Sequence, residues 1–180
     1  AHGVRYDRDV AEREVQAVLD AFSSPEPMAR DDGVAAPIFI CGMFRSGSTL
    51  LEQVLAGHSR VTPGGEMAIL PEIVREGVSP FPARARSLDA GAYGALAKRY
   101  RELARKLFPN ADLVTDKWLG NTLHVGLIKR MFPNAKIVHT VRHPLDNVLS
   151  VYFLHLDPSF GYAFDLEDTA HQLLLTRRLM

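Results

Sequence analysis

A strand, a glycine-containing loop and a helix follow one another directly between residues 37 and 57. The apolar run P-I-F-I-C-G ends at Gly42, and a short continuous run of this kind is typical of a strand buried on both faces. Leucines and valines then recur at helical spacing from Leu50 to Leu55, and Gly57 is placed to end that helix. This order predicts an α/β protein, because buried strands that feed helices build parallel sheets.

The second half of the chain repeats one connection between a helix and a strand. The segments K-L-F-P-N-A-D-L-V and R-M-F-P-N-A-K-I-V occupy residues 106–114 and 130–138. In each segment proline stops a helix, Asn-Ala turns the chain and a β-branched run begins. A third strand is predicted at 136–142, followed by a helix with Pro144 in its first turn. Together these connections predict a parallel β-sheet flanked by helices on both faces.

Composition excludes several classes of protein. The chain has 180 residues, of which 47% are hydrophobic, and this is enough for one domain with a buried core. With 21 basic and 21 acidic residues there is no net charge to attract nucleic acid or an anionic membrane. The single cysteine, Cys41, excludes an internal disulfide framework and a cysteine zinc cluster. We therefore predict a reducing, cytoplasmic location, with neither nucleic acid nor a membrane as partner.

The loop at residues 42–49 has the frame of a phosphate-binding loop, G-x-x-x-x-G-K-[ST], but it lacks the lysine. Ser48 stands at the lysine position, and Arg45 lies inside the loop. Backbone N–H groups between a strand and a helix still form a nest for an anion. Because that lysine reaches the outer phosphates of a triphosphate, this loop suits a ligand with a single phosphate there. An ordinary tight turn without a ligand is the alternative.

Polar residues also follow the other two predicted strands. Asp116 and Lys117 follow one, and Arg142 follows the next, with Ser150 eight residues further on. The carboxyl ends of parallel strands meet at one edge of a sheet, so these residues and the loop are expected to line one crevice. The run L-V-T-D that ends at Asp116 also resembles a Mg²⁺-binding strand of kinases, which keeps that function open. Our interpretation is that this aspartate orients its neighbours.

Two of these segments together resemble a known family. F-I-C-G-M-F-R-S-G-S-T-L-L at residues 39–51 resembles the 5′-phosphosulfate loop of sulfotransferases that use 3′-phosphoadenosine 5′-phosphosulfate (PAPS). V-H-T-V-R-H-P-L-D-N-V-L-S at residues 138–150 resembles their 3′-phosphate site. The similarity extends from about Tyr6 to Met180 and is strongest to bacterial sulfotransferase domains associated with tetratricopeptide repeats, which are relatives of tyrosylprotein sulfotransferases.

The resemblance implies a sulfotransferase fold, with a P-loop-type parallel β-sheet flanked by helices on both faces. It implies PAPS as the donor, adenosine 3′,5′-bisphosphate as the product, and no metal. The donor-binding residues that it implies are Arg45, Ser46, Gly47, Ser48, Thr49, Leu50, Arg142 and Ser150. The implied catalytic residues are Glu66 as general base, with Arg45 and Lys117 on the transferring group. The alternative for Glu66 is that it caps a helix beginning near Met67.

The expected reaction is transfer of a sulfuryl group to an acceptor hydroxyl, and tyrosine, a sugar or a small alcohol all fit. Two other functions stay open: a P-loop kinase or NTPase, and a non-catalytic nucleotide-binding or interaction module. Residues 1–36 are interpreted as an amphipathic helix at 7–22 and a linker, and 37–180 as a sulfotransferase domain that we expect to be incomplete at its C-terminus. The N-terminal helix packs on this domain or joins an upstream repeat domain, and a homo-oligomer is also open.

Overall fold

The computed structural model describes residues 5–24, 27–154 and 156–180, which form four β-strands and seven α-helices. The strands are β1 Ile38–Gly42, β2 Val61–Thr62, β3 Leu113–Asp116 and β4 Lys136–Thr140. The helices are α1 Arg8–Ala21, α2 Ser48–Ala56, α3 Ile69–Gly77, α4 Ala90–Leu107, α5 Val125–Met131, α6 Pro144–Tyr152 and α7 Leu166–Leu179. Short 3-10 segments lie at Ala85–Ser87, Leu119–His124 and Gly161–Phe164.

The four strands form one sheet in the order β2-β3-β1-β4, and each neighbouring pair is parallel. Ile38 of β1 lies opposite Thr115 of β3 on one side and Lys136 of β4 on the other. Because the strands run the same way, the segments that follow β3, β1 and β4 emerge side by side at one edge. This confirms the predicted α/β architecture, a parallel sheet flanked by helices.

Two apolar clusters fix the helices around the sheet. The larger cluster packs α3, α4 and α5 against β1 and fully buries Phe39, Tyr93 and Tyr100. The smaller cluster groups Met43, at the start of the loop, with Val151 of α6 and Leu173 of α7. The strand β1 is therefore enclosed, as its unbroken apolar run predicts.

The repeated helix-to-strand connections form as the sequence predicts. Phe108 and Phe132 are the C-caps of α4 and α5, and β3 and β4 begin shortly after them. Pro144 is at the start of α6, also as predicted. The strand β4 ends at Thr140, two residues before the predicted end, because the chain turns there to start α6.

The N-terminal helix α1 packs along α7. Arg8 donates to the Asp168 carboxylate at 2.6 Å, and the Tyr6 hydroxyl lies 3.0 Å from Nδ1 of His171. The chain after α1 is held by the buried Arg130 guanidinium, which donates to the carbonyl of Ala21 at 3.2 Å. The helix α1 thus packs on the domain, and a link to an upstream repeat domain stays a prediction.

Candidate functional site

The loop between β1 and α2 is shaped by three residues with positive φ: Gly42 at 145°, Arg45 at 66° and Gly47 at 98°. At Gly42 an added Cβ would lie 2.6 Å from the Thr140 carbonyl oxygen, so the site requires glycine. Gly47 is the N-cap of α2 and carries no side-chain acceptor. The N–H groups of the first turn of α2, from Ser48 onward, are therefore available to an anion.

Ser46 belongs to the internal structure of this loop. Its hydroxyl donates to the Met43 carbonyl at 2.6 Å and lies 2.6 Å from Oγ1 of Thr140. Its backbone N–H also points at the Met43 carbonyl, at 3.3 Å. The Ser46 hydroxyl thus ties the loop to β4, and Thr140 is a partner that sequence reasoning missed; donor binding by Ser46 stays a prediction.

Two further side chains support the loop from outside. The Gly42 N–H donates to Oγ1 of Thr122 at 3.1 Å, and Nδ2 of Asn147 donates to the Phe44 carbonyl at 2.6 Å. Thr122 and Asn147 are both buried. The loop is thus held between the 3-10 segment after β3 and the helix α6. Neither residue was expected from sequence, because each reaches the loop from a distant part of the chain.

Arg45, Arg142 and Ser150 form what we call the arginine cluster. Nε of Arg45 donates to the Ser150 hydroxyl at 3.1 Å, and Nη1 of Arg142 lies 3.5 Å from the Arg45 carbonyl oxygen. Both arginines are exposed. The structure therefore brings together three of the predicted donor-binding residues. Two guanidinium groups and a hydroxyl on an accessible surface suit a phosphate, which accepts several charge-assisted hydrogen bonds.

Glu66 and Lys117 form a second group, the Glu66–Lys117 pair. Nζ of Lys117 donates to Oε1 of Glu66 at 3.0 Å, and the lysine side chain is 8% exposed while the glutamate is 53% exposed. A buried ammonium requires such a partner. The helix α3 begins at Ile69, and among the residues that the structure describes its N-cap, Ala68, makes no side-chain capping bond. The helix begins two residues after the predicted start near Met67, and the capping alternative for Glu66 stays a prediction.

The turn that carries Glu66 is hydrogen-bonded to β3 and α2. The Gly64 N–H donates to Oγ1 of Thr115 at 3.1 Å, and the Lys117 N–H donates to the Gly65 carbonyl at 2.8 Å. Oε1 of the buried Glu52 accepts from the Gly65 N–H at 3.0 Å and from the Thr115 hydroxyl at 2.6 Å. Glu52 is a site residue that sequence reasoning missed.

The helix α2 buries its polar side. Leu50 is 70% exposed and Val54 is 67% exposed, while Ser48 and Glu52, four residues apart, are buried. The apolar spacing predicted the helix correctly, but it did not indicate which face is buried. Thr49 and Leu50, both predicted to bind the donor, lie exposed in the first turn.

Asp116, which directly precedes Lys117 in the chain, is fully buried. The Tyr100 hydroxyl donates to its Oδ2 at 2.6 Å, and the Trp118 N–H donates to its Oδ1 at 3.0 Å. Burial raises the pKa of Asp116 to about 6. Its carboxylate orients Tyr100 and the chain at Trp118, as the sequence-based interpretation held.

Two further features are absent from the described part of the chain. No group of three or more His, Cys, Asp or Glu side chains is placed there to hold a metal ion. Nor does any helix in residues 5–24, 27–154 and 156–180 combine the length and apolarity needed to cross a bilayer.

The fold and this edge define a parallel α/β protein with a glycine loop, an arginine cluster, and a buried lysine paired with an exposed glutamate. The chain belongs to the sulfotransferase family, whose model matches residues 37–179. This confirms the family expected from the sequence, while the link to repeat-associated members stays a prediction.

The chain matches one part of a much longer relative. The chain is similar to an uncharacterized protein of Aquifex aeolicus (strain VF5), with 36% identity over 183 aligned positions that cover 92% of this chain and 24% of the relative. The chain therefore spans about a quarter of that relative's length. No solved structure matches this chain.

Proposed function

We propose that this chain transfers a sulfuryl group from PAPS to an acceptor hydroxyl. One observation supports this most strongly. The helix α2, whose first-turn N–H groups can bind an anion, follows β1, and β1 lies between β3 and β4 in the sheet. The arginine cluster is built from the loop and from the segment after β4, on one side of β1. The Glu66–Lys117 pair is reached from β3, on the other side. An anion at α2 would thus have phosphate-binding side chains on one flank and an acid–base pair on the other.

The residues fit a donor that carries two separate phosphates. The first-turn N–H groups of α2 suit the 5′-phosphate, since they offer donors and the positive end of the helix dipole. Arg142 and Ser150 suit the 3′-phosphate, with Arg45 beside them. When bound, PAPS supplies a sulfuryl group activated by its bond to the 5′-phosphate. With Ser48 at the lysine position, the loop lacks the cation that a triphosphate requires.

Glu66 and Lys117 have different roles in the proposed reaction. The Glu66 carboxylate is more than half exposed, so an acceptor hydroxyl can approach it and give up its proton to the carboxylate as the oxygen attacks. Lys117 is almost buried, so its ammonium is fixed in position and can stabilise the charge on the transferring group without reorganisation. The acceptor is defined by this chemistry as a hydroxyl compound.

A kinase reaction is less well supported by the same residues. A Walker-B aspartate must offer its carboxylate to Mg²⁺. The Asp116 carboxylate is buried and accepts hydrogen bonds from Tyr100 and Trp118 instead. Together with Ser48 in the loop, this arrangement favours a donor that needs no metal.

The test is direct transfer of labelled sulfate. The chain is incubated with ³⁵S-labelled PAPS and a panel of tyrosine peptides, sugars and small alcohols, and labelled acceptor is counted against the Glu66→Gln variant. We expect label in at least one acceptor class, with the variant strongly reduced. Tight bisphosphate binding without transfer to any acceptor would instead favour a non-catalytic nucleotide-binding module, and equal transfer by both proteins would remove Glu66 as the base.

A further inference from the structure

Glu52 is a buried acid on a helix that exposes its apolar side chains. It is 4% exposed, whereas Leu50 and Val54 of the same helix face solvent. Burial of a carboxylate is costly unless hydrogen bonds compensate it. Oε1 of Glu52 accepts from the Gly65 N–H at 3.0 Å and from the Thr115 hydroxyl at 2.6 Å. The orientation of α2 is therefore set by polar contacts with the turn and the sheet.

These contacts connect three separate elements of the site. Glu52 lies on α2, Gly65 lies in the turn that carries Glu66, and Thr115 lies on β3, two residues before Lys117. The turn sits directly on β3, since an added Cβ at Gly64 would lie 2.1 Å from the Thr115 carbonyl oxygen. The phosphate-binding helix and the Glu66–Lys117 pair are thus joined through one carboxylate oxygen.

We propose that Glu52 is a positioning residue, which holds the Glu66–Lys117 pair in register with the anion site of α2. The proposal rests on the proposed function, since it concerns the same reaction. Ser48, in the first turn of α2, lies four residues before Glu52 on the same buried face. Any displacement of this turn when the loop takes up a phosphate is passed through Glu52 to the turn that carries the base. Glu52 itself touches no reacting atom.

Two variants separate positioning from simple loss of a buried group. Glu52→Leu fills the space but removes the acceptor, so the Gly65 N–H and the Thr115 hydroxyl lose their partner. Glu52→Gln keeps an oxygen at the position that accepts both hydrogen bonds. Leu127→Ala is the matched control. Leu127 is fully buried in the larger apolar cluster, so its truncation destabilises the fold without removing a hydrogen bond of the turn.

The kinetic test compares kcat with binding of adenosine 3′,5′-bisphosphate. A misplacement on the order of 1 Å can lower turnover by about 10²-fold, so we expect Glu52→Leu to lose kcat on that scale. The dissociation constant of the bisphosphate should stay close to wild type, and Glu52→Gln should recover kcat. Equal kcat in Glu52→Leu and wild type would overturn the proposal, as would a similar loss of kcat in Leu127→Ala.

A second measurement does not depend on turnover. Amide hydrogen exchange of Gly65, followed by NMR, should be slow in wild type and in Glu52→Gln and fast in Glu52→Leu, because only the leucine variant lacks the acceptor. Bisphosphate should shift the Gly65 and Lys117 amide signals in the first two proteins and not in the third. Slow exchange with unchanged shifts in Glu52→Leu would overturn the proposal.

Failure of the proposed function and failure of the positioning role give different results. If wild type binds no bisphosphate and transfers no sulfate, the proposed function fails and the role of Glu52 falls with it. If wild type binds and transfers while Glu52→Leu behaves like it in kcat and exchange, only the positioning role is lost.

Discussion

The arginine cluster and the Glu66–Lys117 pair lie at the same edge of the sheet but are built in different ways. The arginines are exposed, and Arg142 reaches the Arg45 carbonyl only at 3.5 Å. Lys117 is almost buried, and the turn opposite it is fastened to β3 and to Glu52. Long exposed side chains can close on a ligand after it arrives, whereas reacting groups gain most from being fixed beforehand. In the proposed function, the arginine cluster is the binding side, which adjusts to the ligand, and the Glu66–Lys117 pair is the chemical side, which is already in place.

The largest expected effect lies on the chemical side. Glu66→Gln should lower kcat by about 10²–10⁴-fold, because the amide cannot take the proton of the acceptor hydroxyl. Binding of the bisphosphate should be unchanged, since the arginine cluster is intact. Steady-state kinetics and calorimetry measure the two quantities separately. Glu72→Gln, which alters an exposed carboxylate on α3, is the control and should leave both unchanged.

The next largest effect is expected from Asp116, which is buried and lies beside Lys117 in the sequence. Because burial raises the pKa of Asp116 to about 6, the folded state holds a proton more tightly than the unfolded chain does. Asp116 therefore stabilises the fold below about pH 4, and this contribution is lost as the pH rises towards about 6. Asp116→Asn does not titrate, so it should gain about 3 kcal/mol in unfolding free energy relative to wild type across that window.

The measurement is denaturant unfolding of both proteins at a series of pH values. Only the pH dependence of the difference is diagnostic, since the amide changes the hydrogen bonds to Tyr100 and Trp118 by a constant amount. His124, whose pKa burial lowers to about 4, acts in the opposite direction as pH falls and cancels in the difference. A difference that stays constant from pH 4 to pH 6 would contradict the prediction.

The smallest of the three effects is expected on the binding side. Arg142→Ala should weaken bisphosphate binding by about 2 kcal/mol or more, because a charge-assisted contact to a phosphate is lost. Its kcat at saturating donor should change far less than that of Glu66→Gln. Arg60→Ala is the matched control, since Arg60 pairs with Asp112 at the opposite edge of the sheet. Equal binding by the two variants would remove Arg142 from the site.

Local patterns predicted the framework of the fold. The apolar run before Gly42, the F-P-N-A connections and Pro144 each determine a strand or a helix boundary through neighbouring residues alone, and all are found where predicted. β2, Val61–Thr62, was not predicted, because two residues are too few to form a pattern. Its place in the sheet is set by β3, far along the chain.

The residues of the candidate site that belong to a sequence motif could be predicted, whereas those that only the folded chain brings to the site could not. Arg45, Arg142 and Ser150 were selected from two segments, and the structure brings them together. Glu52 could not be found, because its sequence position resembles an ordinary exposed acid on a helix. It is buried only once the Gly64–Gly65 turn folds against it. A buried polar position on a helix that exposes Leu50 and Val54 is a signal that appears only in three dimensions.

The most direct test of the central claim is a calorimetric titration with adenosine 3′,5′-bisphosphate in the absence of metal, compared with ATP and Mg²⁺. The first-turn amides of α2 and the arginine cluster should bind the bisphosphate more tightly, with no effect of added chelator. A preference for ATP with Mg²⁺, or no binding at saturating bisphosphate, would contradict the account.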